Sequence, residues 1–234
     1  MSSLRTPSNT KLIASIVAGA LSMTAMLPAS AALIIDNTTT GNYNAGLGTS
    51  LDTLGVNDPI PCANVGCGDA TLSFGSAPNL GAASVALGAW LSTPSTPCGA
   101  WTGMQAIPRS RAVNDESAVI YAFDAQAGLL NVSLALGVDN GIFVWLDGNY
   151  VFGARAGGGS SLGEYMPALG NISAGIHYLQ LLREDHGGAT GYDIQLTADF
   201  VRPSVPEPVS LWMLGLGVIG LIAARRRNAA ASRR

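Results

Sequence analysis

Tyr192-Asp193-Ile194-Gln195-Leu196-Thr197-Ala198-Asp199-Phe200 alternates without a break. Tyr192, Ile194, Leu196, Ala198 and Phe200 share one face, and Asp193, Gln195, Thr197 and Asp199 the other. A period of two is the pleat of a half-buried β-strand, because successive side chains point to opposite faces. The pattern recurs upstream. Asn131 to Val138 sends Val132, Leu134, Leu136 and Val138 one way. Ile142–Leu146 and Tyr150–Phe152 flank Asp147-Gly148-Asn149, and Asp-Gly supplies the positive φ angles of a tight hairpin. Ile176 to Leu182 is apolar on both faces apart from His177 and Gln180, which predicts a central strand, and Val119 to Phe123 predicts another.

The first part of the domain, 32–112, is Gly-rich and harder to read. Ile34-Ile35 suggests an entry strand, Thr38 to Leu54 reads as polar and Gly-rich, and Leu72–Phe74 and Val85–Leu91 suit short strands. A boundary near residue 112 leaves neither half clearly able to stand alone. Many short strands punctuated by Gly and Asn predict an all-β fold, a two-sheet β-sandwich or jelly roll over 32–204, flanked by an N-terminal signal helix and a C-terminal single transmembrane-like helix.

The two ends read as addresses. Residues 1–31 have a secretory signal's layout. Arg5 and Lys11 precede an apolar stretch from Leu12 to Leu27, then Pro28 and Ala29-Ser30-Ala31, with Ala32 as the expected mature start. Such a segment implies the secretion translocon and a signal peptidase as partners. At the other end, 205–234, Pro206-Glu207-Pro208 precedes an apolar run over 209–224 and the cluster Arg225-Arg226-Arg227. Sixteen helical residues span about 24 Å, short against the ~20 residues of a membrane helix. The arginines would remain cytoplasmic. Proline on both sides of Glu207 keeps that strip extended.

These three parts together resemble the PEP-CTERM sorting signal. The resemblance implies recognition and cleavage near the Pro-Glu-Pro box by an exosortase, a membrane-embedded transpeptidase. It also implies an exported protein, transiently anchored in the inner membrane through the C-terminal helix and then located at the cell surface or in an exopolysaccharide-rich matrix such as a biofilm.

Between Ala32 and Val205 there are five Arg, no Lys and fourteen Asp or Glu, a formal charge of −9. A surface of that sign excludes nucleic acid as a partner. Cys62, Cys67 and Cys98 meet an oxidising compartment after export, so a disulfide is expected among them; three cysteines allow three pairings and leave one thiol over.

Asp139-Asn140-Gly141-Ile142-Phe143-Val144-Trp145-Leu146-Asp147-Gly148, with Ile172 to Tyr178, Leu181 to Asp185 and Gly187-Gly188-Ala189, is similar to the protective-antigen-type, galactose-binding-like sandwich. In that family's sugar-binding members an Asp-Asp pair holds calcium, which binds sugar hydroxyls. Here the pair reads Asp139-Asn140, so one carboxylate is missing. Asp139, Asn140, Asp147 and Asp185 are the candidate calcium or ligand groups; as turn formers they have a competing role. Trp145 and Tyr150 are candidates for stacking on sugar rings, or for the core. His177 and His186 show no metal-ligand spacing, and no Gly-x-Ser-x-Gly elbow is present.

The sequence therefore predicts a non-catalytic secreted domain with polysaccharide as its candidate ligand and calcium as its candidate cofactor. Two alternatives stand beside it: a polysaccharide-active hydrolase using Glu164 and Asp185 as a carboxylate pair, and a structural matrix protein without a ligand.

Overall fold

The computed structural model describes residues 31–51, 72–185, 187–201 and 209–231. The signal segment up to Ser30, with Ala29, lies outside the described residues, as do Cys62, Cys67, His186 and Pro206 to Pro208.

Nine strands are described: β1 (Ala32–Asp36), β2 (Thr40–Gly48), β3 (Leu72–Ser73), β4 (Met104–Ala106), β5 (Glu116–Asp124), β6 (Leu129–Leu146), β7 (Asn149–Ala156), β8 (Ile176–Glu184) and β9 (Gly191–Phe200). All pairings are antiparallel, in the order β1-β9-β6-β8-β5-β2-β4, with β7 on β6 and β3 on β7. β6 is the pivot. Its first half pairs with β9 from Leu129↔Phe200 to Asp139↔Gly191, and its second half pairs with β8 from Gly141↔Glu184 to Leu146↔Leu179. One continuous 18-residue strand thus folds over at Asp139-Asn140, whose peptide bond is cis, and belongs to both layers of the sandwich. The sequence showed this strand as two separate alternating runs.

The layers close on each other through one alternating set. Leu134, Leu136, Val138, Ile194, Leu196 and Ala198 from the β9 layer meet Val119, Tyr121, Ile142, Val144, Leu179 and Leu181 from the β8 layer. The far edge of β6 is bridged by Leu129↔Ile172, Ser133↔Ala168 and Leu136↔Tyr165, so that edge is covered. This is why β6 carries Gly137: a Cβ there would stand 2.4 Å from the Ser161 carbonyl oxygen.

The other face of the β8 layer is also apolar, and a cap covers it. Ala118, Ile120, Phe143, Trp145 and Leu182 pack against Leu47, Leu51, Ala83, Leu87 and Trp90. Two sequence expectations change here. The polar Gly-rich stretch contains β2, which sits between β5 and β4. Val85–Leu91 is not a strand: a 3-10 turn (Gly81–Ala83) runs into the short helix α1 (Ser84–Leu87), followed by turns through Ser92. A helical turn puts Leu87 and Trp90, three apart, on one side, which a strand could not do. Gln180, fully buried, ties the cap to the β6–β7 hairpin: its Nε2 donates to the Trp90 carbonyl at 2.7 Å and its Oε1 accepts from Gly148 N at 2.7 Å. The hairpin itself follows the Asp-Gly reading, with positive φ at Asp147 (51°) and Gly148 (77°).

At the C-terminus α2 (Val209–Ala231) extends past the expected end at 224, and Arg225, Arg226 and Arg227 lie inside it. Met213 to Arg227 is exposed all round. No helix among the described residues is long and apolar enough to cross a membrane.

Candidate functional site

The fold-over of β6 brings the ends of several strands to one rim. Asp139 and Asn140 lie at its crest, Asp185 follows β8, and the loop of Arg109 to Asp115 leads into β5. Arg111 links them. Its Nε donates to the Asp115 carbonyl at 2.9 Å and its Nη2 reaches the Asp139 carbonyl at 3.5 Å. Its backbone N–H donates to Thr190 Oγ1 at 2.8 Å, and that hydroxyl donates back to the Arg111 carbonyl at 2.9 Å. Asp185 is 1% exposed; its Oδ2 accepts from the backbone N–H of Asn114 at 2.5 Å and of Gly187 at 3.1 Å. Asn140 offers its carbonyl to the Tyr165 hydroxyl at 3.1 Å.

Burial and the neighbouring Arg183 lower the Arg111 pKa to about 10, while the charges of Asp185, Tyr43 and Glu184 pull it back up. The group therefore stays cationic at neutral pH. Three buried atoms of this rim find no hydrogen-bond partner among the described residues: Arg111 Nη1, Asn114 Oδ1 and Asp185 Oδ1. Sequence reasoning found Asp139, Asn140 and Asp185 but missed Arg111 and Asn114. The available signal was scarcity, since two of only five arginines in the domain fall within three residues, just before Asn114-Asp115.

The donor set does not fit calcium. The ion wants six to eight oxygens without a competing cation, and here the Arg111 guanidinium stands among the carboxylates. No group of three His, Cys, Asp or Glu side chains able to hold a metal is present among the described residues.

Asp147 is not part of this rim. It lies at the other end of the six-residue ladder Gly141–Leu146, about 20 Å away at ~3.4 Å per residue. There its Oδ1 accepts from Tyr178 N at 2.8 Å and its Oδ2 stands 2.7 Å from His177 Nδ1. His177 Nε2 is closer to the Ser173 carbonyl (3.0 Å) than to the Ser173 hydroxyl (3.4 Å), so its nearer neighbour is the backbone. The Asp147–His177–Ser173 chain is a clamp on the hairpin and not a base aimed at a nucleophile. We expect Asp147→Ala to cost about 2 kcal/mol in urea unfolding, through two lost hydrogen bonds and a positive φ. Asp147→Asn, which tolerates that φ and can still accept from Tyr178, should cost about half as much.

The stacking candidates are also relocated. Trp145 is 2% exposed and lies edge-on to Trp90 (5.2 Å) and Tyr150 (5.6 Å) under the cap. Tyr150 is half-buried and its hydroxyl donates to the Phe74 carbonyl at 2.8 Å. Trp145 offers no open face to a sugar, because the second face of the β8 layer is a core and not a surface, while Tyr150 lies at the margin of that core. Glu164 is exposed on the loop over β6, with Oε2 accepting from Val138 N at 3.3 Å; desolvation raises its pKa against that bond. Asp185, by contrast, is enclosed and held by backbone amides, so these two do not flank an open cleft as a hydrolytic pair requires. Cys98 is exposed.

Residues 204–227 match the PEP-CTERM protein-sorting motif. The chain therefore carries the mark of an exported protein, membrane-anchored before processing by an exosortase, a membrane enzyme. No curated protein matches the chain. Among solved structures, a PA14 sugar-binding domain from RTX adhesin is similar at 15% identity and a TM-score of 0.30, over 41% of this chain and 52% of that one. The match spans about half of that structure and carries no argument about ligand or site.

Proposed function

We propose that the β-domain is a non-catalytic module of the cell surface or extracellular matrix that binds polysaccharide without calcium at the partly exposed Arg111–Asn114 loop, which Asp185 holds from beneath. The carrying observation is that the loop of Arg111 and Asn114 is partly exposed while a guanidinium donor and an amide acceptor in it, Arg111 Nη1 and Asn114 Oδ1, lie just beneath the surface without partners among the described residues, so a ligand that opens the loop would satisfy both. Buried polar groups left unmade are costly. A sugar hydroxyl both donates and accepts, so a polyol suits such a mixed set, whereas a cation or an anion suits only half of it. The sorting tail supports the setting, since it sends the domain outward.

The test is affinity electrophoresis of the secreted mature protein through gels containing the producing cell's exopolysaccharide. We expect retardation that weakens about fivefold in Arg111→Gln or Asn114→Ala, the worth of one hydrogen bond. Unretarded wild-type protein would leave the structural matrix role in its place. Calcium is expected to change neither mobility nor melting. A site with a Kd near 1 mM, typical of weak extracellular modules, would give about 1 kcal/mol at about 5 mM calcium, raising Tm by about 2–4 °C. A shift of that size, abolished by chelator, would contradict the reading of Arg111 as the rim's own cation.

A further inference from the structure

The sandwich has two unlike poles, and the chain enters and leaves by the same one. Ala32, the first residue of β1, pairs with Ala198 near the end of β9. Val201 N donates to the Gly128 carbonyl at 2.9 Å, beside the start of β6, so the last described residue before the sorting box lies there too. The Ala125 N–H to Gly175 carbonyl bond and the bridge Leu129↔Ile172 bring the Ser173–His177–Asp147 clamp to this pole. The Arg111 rim lies at the opposite end of β9, beside Gly191, nine residues or about 30 Å from Phe200.

The two poles differ in which charged residues they hold. Asp124, Asp147 and Asp199 belong to the pole where the chain exits, as their pairings with Ile176 and Leu130 and the clamp place them. The four described arginines of the sandwich belong to the other half, where they stand among seven of the described acids, so both halves are net acidic and the arginines alone tell them apart. Arg109 meets Asp193 there, Arg111 meets Asp139, Arg155 pairs opposite Gly141, and Arg183 opposite Ile142.

Chain length sets the remaining geometry. Val201 to Pro206 is five residue steps, at most about 18 Å, and Val201 to Val209 is eight, at most about 29 Å. We propose that the unprocessed protein stands on the membrane with its Asp124–Asp147–Asp199 pole toward the bilayer and its Arg111 rim outward. The processing enzyme then works in the gap beneath that acidic pole, and the length of 202–205 admits it. This rests on reading the tail as an exosortase signal and its apolar run as the anchor.

In the producing cell, immunoblots follow conversion of full-length precursor to mature protein. Glu207→Ala should block conversion, and normal processing of that variant would remove the sorting reading and the proposal together. Deleting Arg202 to Val205 should slow conversion at least about tenfold, and Gly-Ser-Gly-Ser in their place should restore it, because length and not sequence is limiting. Conversion of the deletion at the wild-type rate, with Glu207→Ala still blocked, would overturn the proposal alone. A second measurement avoids any folding defect of the deletion. In membranes holding the Glu207→Ala precursor, a bulky maleimide should modify Leu162→Cys at least about fivefold faster than Ala174→Cys, read by peptide mass, with the ratio falling toward one in detergent. Both positions are exposed on the domain, so equal rates in membranes would overturn the orientation.

Discussion

Trp145→Ala is expected to destabilise the mature domain by about 3–5 kcal/mol in urea unfolding, the cost of deleting a buried aromatic side chain. The indole is enclosed by Trp90, Tyr150 and Phe143, and the cap settles on it. Its loss leaves a void under a layer that has few ladder bonds of its own, so the cap cannot collapse to fill it without pulling away from Gln180. The change separates two roles for one residue. A sugar-stacking Trp loses affinity with little stability, whereas a core Trp loses stability while the remaining folded protein keeps its affinity. We expect the second pattern, and retained stability with lost binding in gel retardation would contradict the buried placement.

The second large effect concerns Arg183, which is fully buried inside the sandwich. Its Nε donates to Ser117 Oγ at 3.0 Å and its Nη1 to the Pro108 carbonyl at 2.9 Å. The guanidinium carbon lies 4.6 Å from the Tyr192 ring centroid and 5.4 Å from that of Tyr43. Burial lowers its pKa, and the surrounding tyrosines oppose that shift. Nη2 has no partner among the described residues. Desolvating this charge is only partly compensated, since the ring faces and two neutral acceptors replace water without a carboxylate. Arg183→Ala should therefore cost about 3–5 kcal/mol, because it removes the packing between two tyrosines and strands Ser117 and Pro108. Arg183→Met, which keeps the stem and deletes the charge, should fall within about 1.5 kcal/mol of the wild type. A methionine variant as unstable as the alanine one would show that the guanidinium is worth more than its shape.

How legible the fold was depended on local pattern. β5, β8 and β9 and the Asp147-Gly148 turn are written in alternation and in turn chemistry, each readable within ten residues. β2 was not legible because Thr40 to Gly48 is built of small and polar residues; its strand state is imposed by pairing with β5 on one side and β4 on the other. Val85–Leu91 misled because four apolar residues among small ones suit a strand or a helical turn equally. Of the site residues, Asp139, Asn140 and Asp185 were visible as turn-forming acids and amides. Asp147 was grouped with them by residue type, and the β6–β8 ladder separates it by its full length. Arg111 gave no pattern at all, since a single arginine in a loop acquires its role from carbonyls and carboxylates that are distant in the chain.

The order of amino acids was enough to establish an all-β domain, the hairpin and the sorting tail, because a two-residue period, an Asp-Gly pair and a Pro-Glu-Pro box with its apolar run and arginines are all local statements. Three-dimensional packing settled which apolar faces are core, which acids share a rim with an arginine, and that the chain enters and exits at one pole. Those outcomes depend on register between strands far apart in the chain, and no short window of residues contains that information.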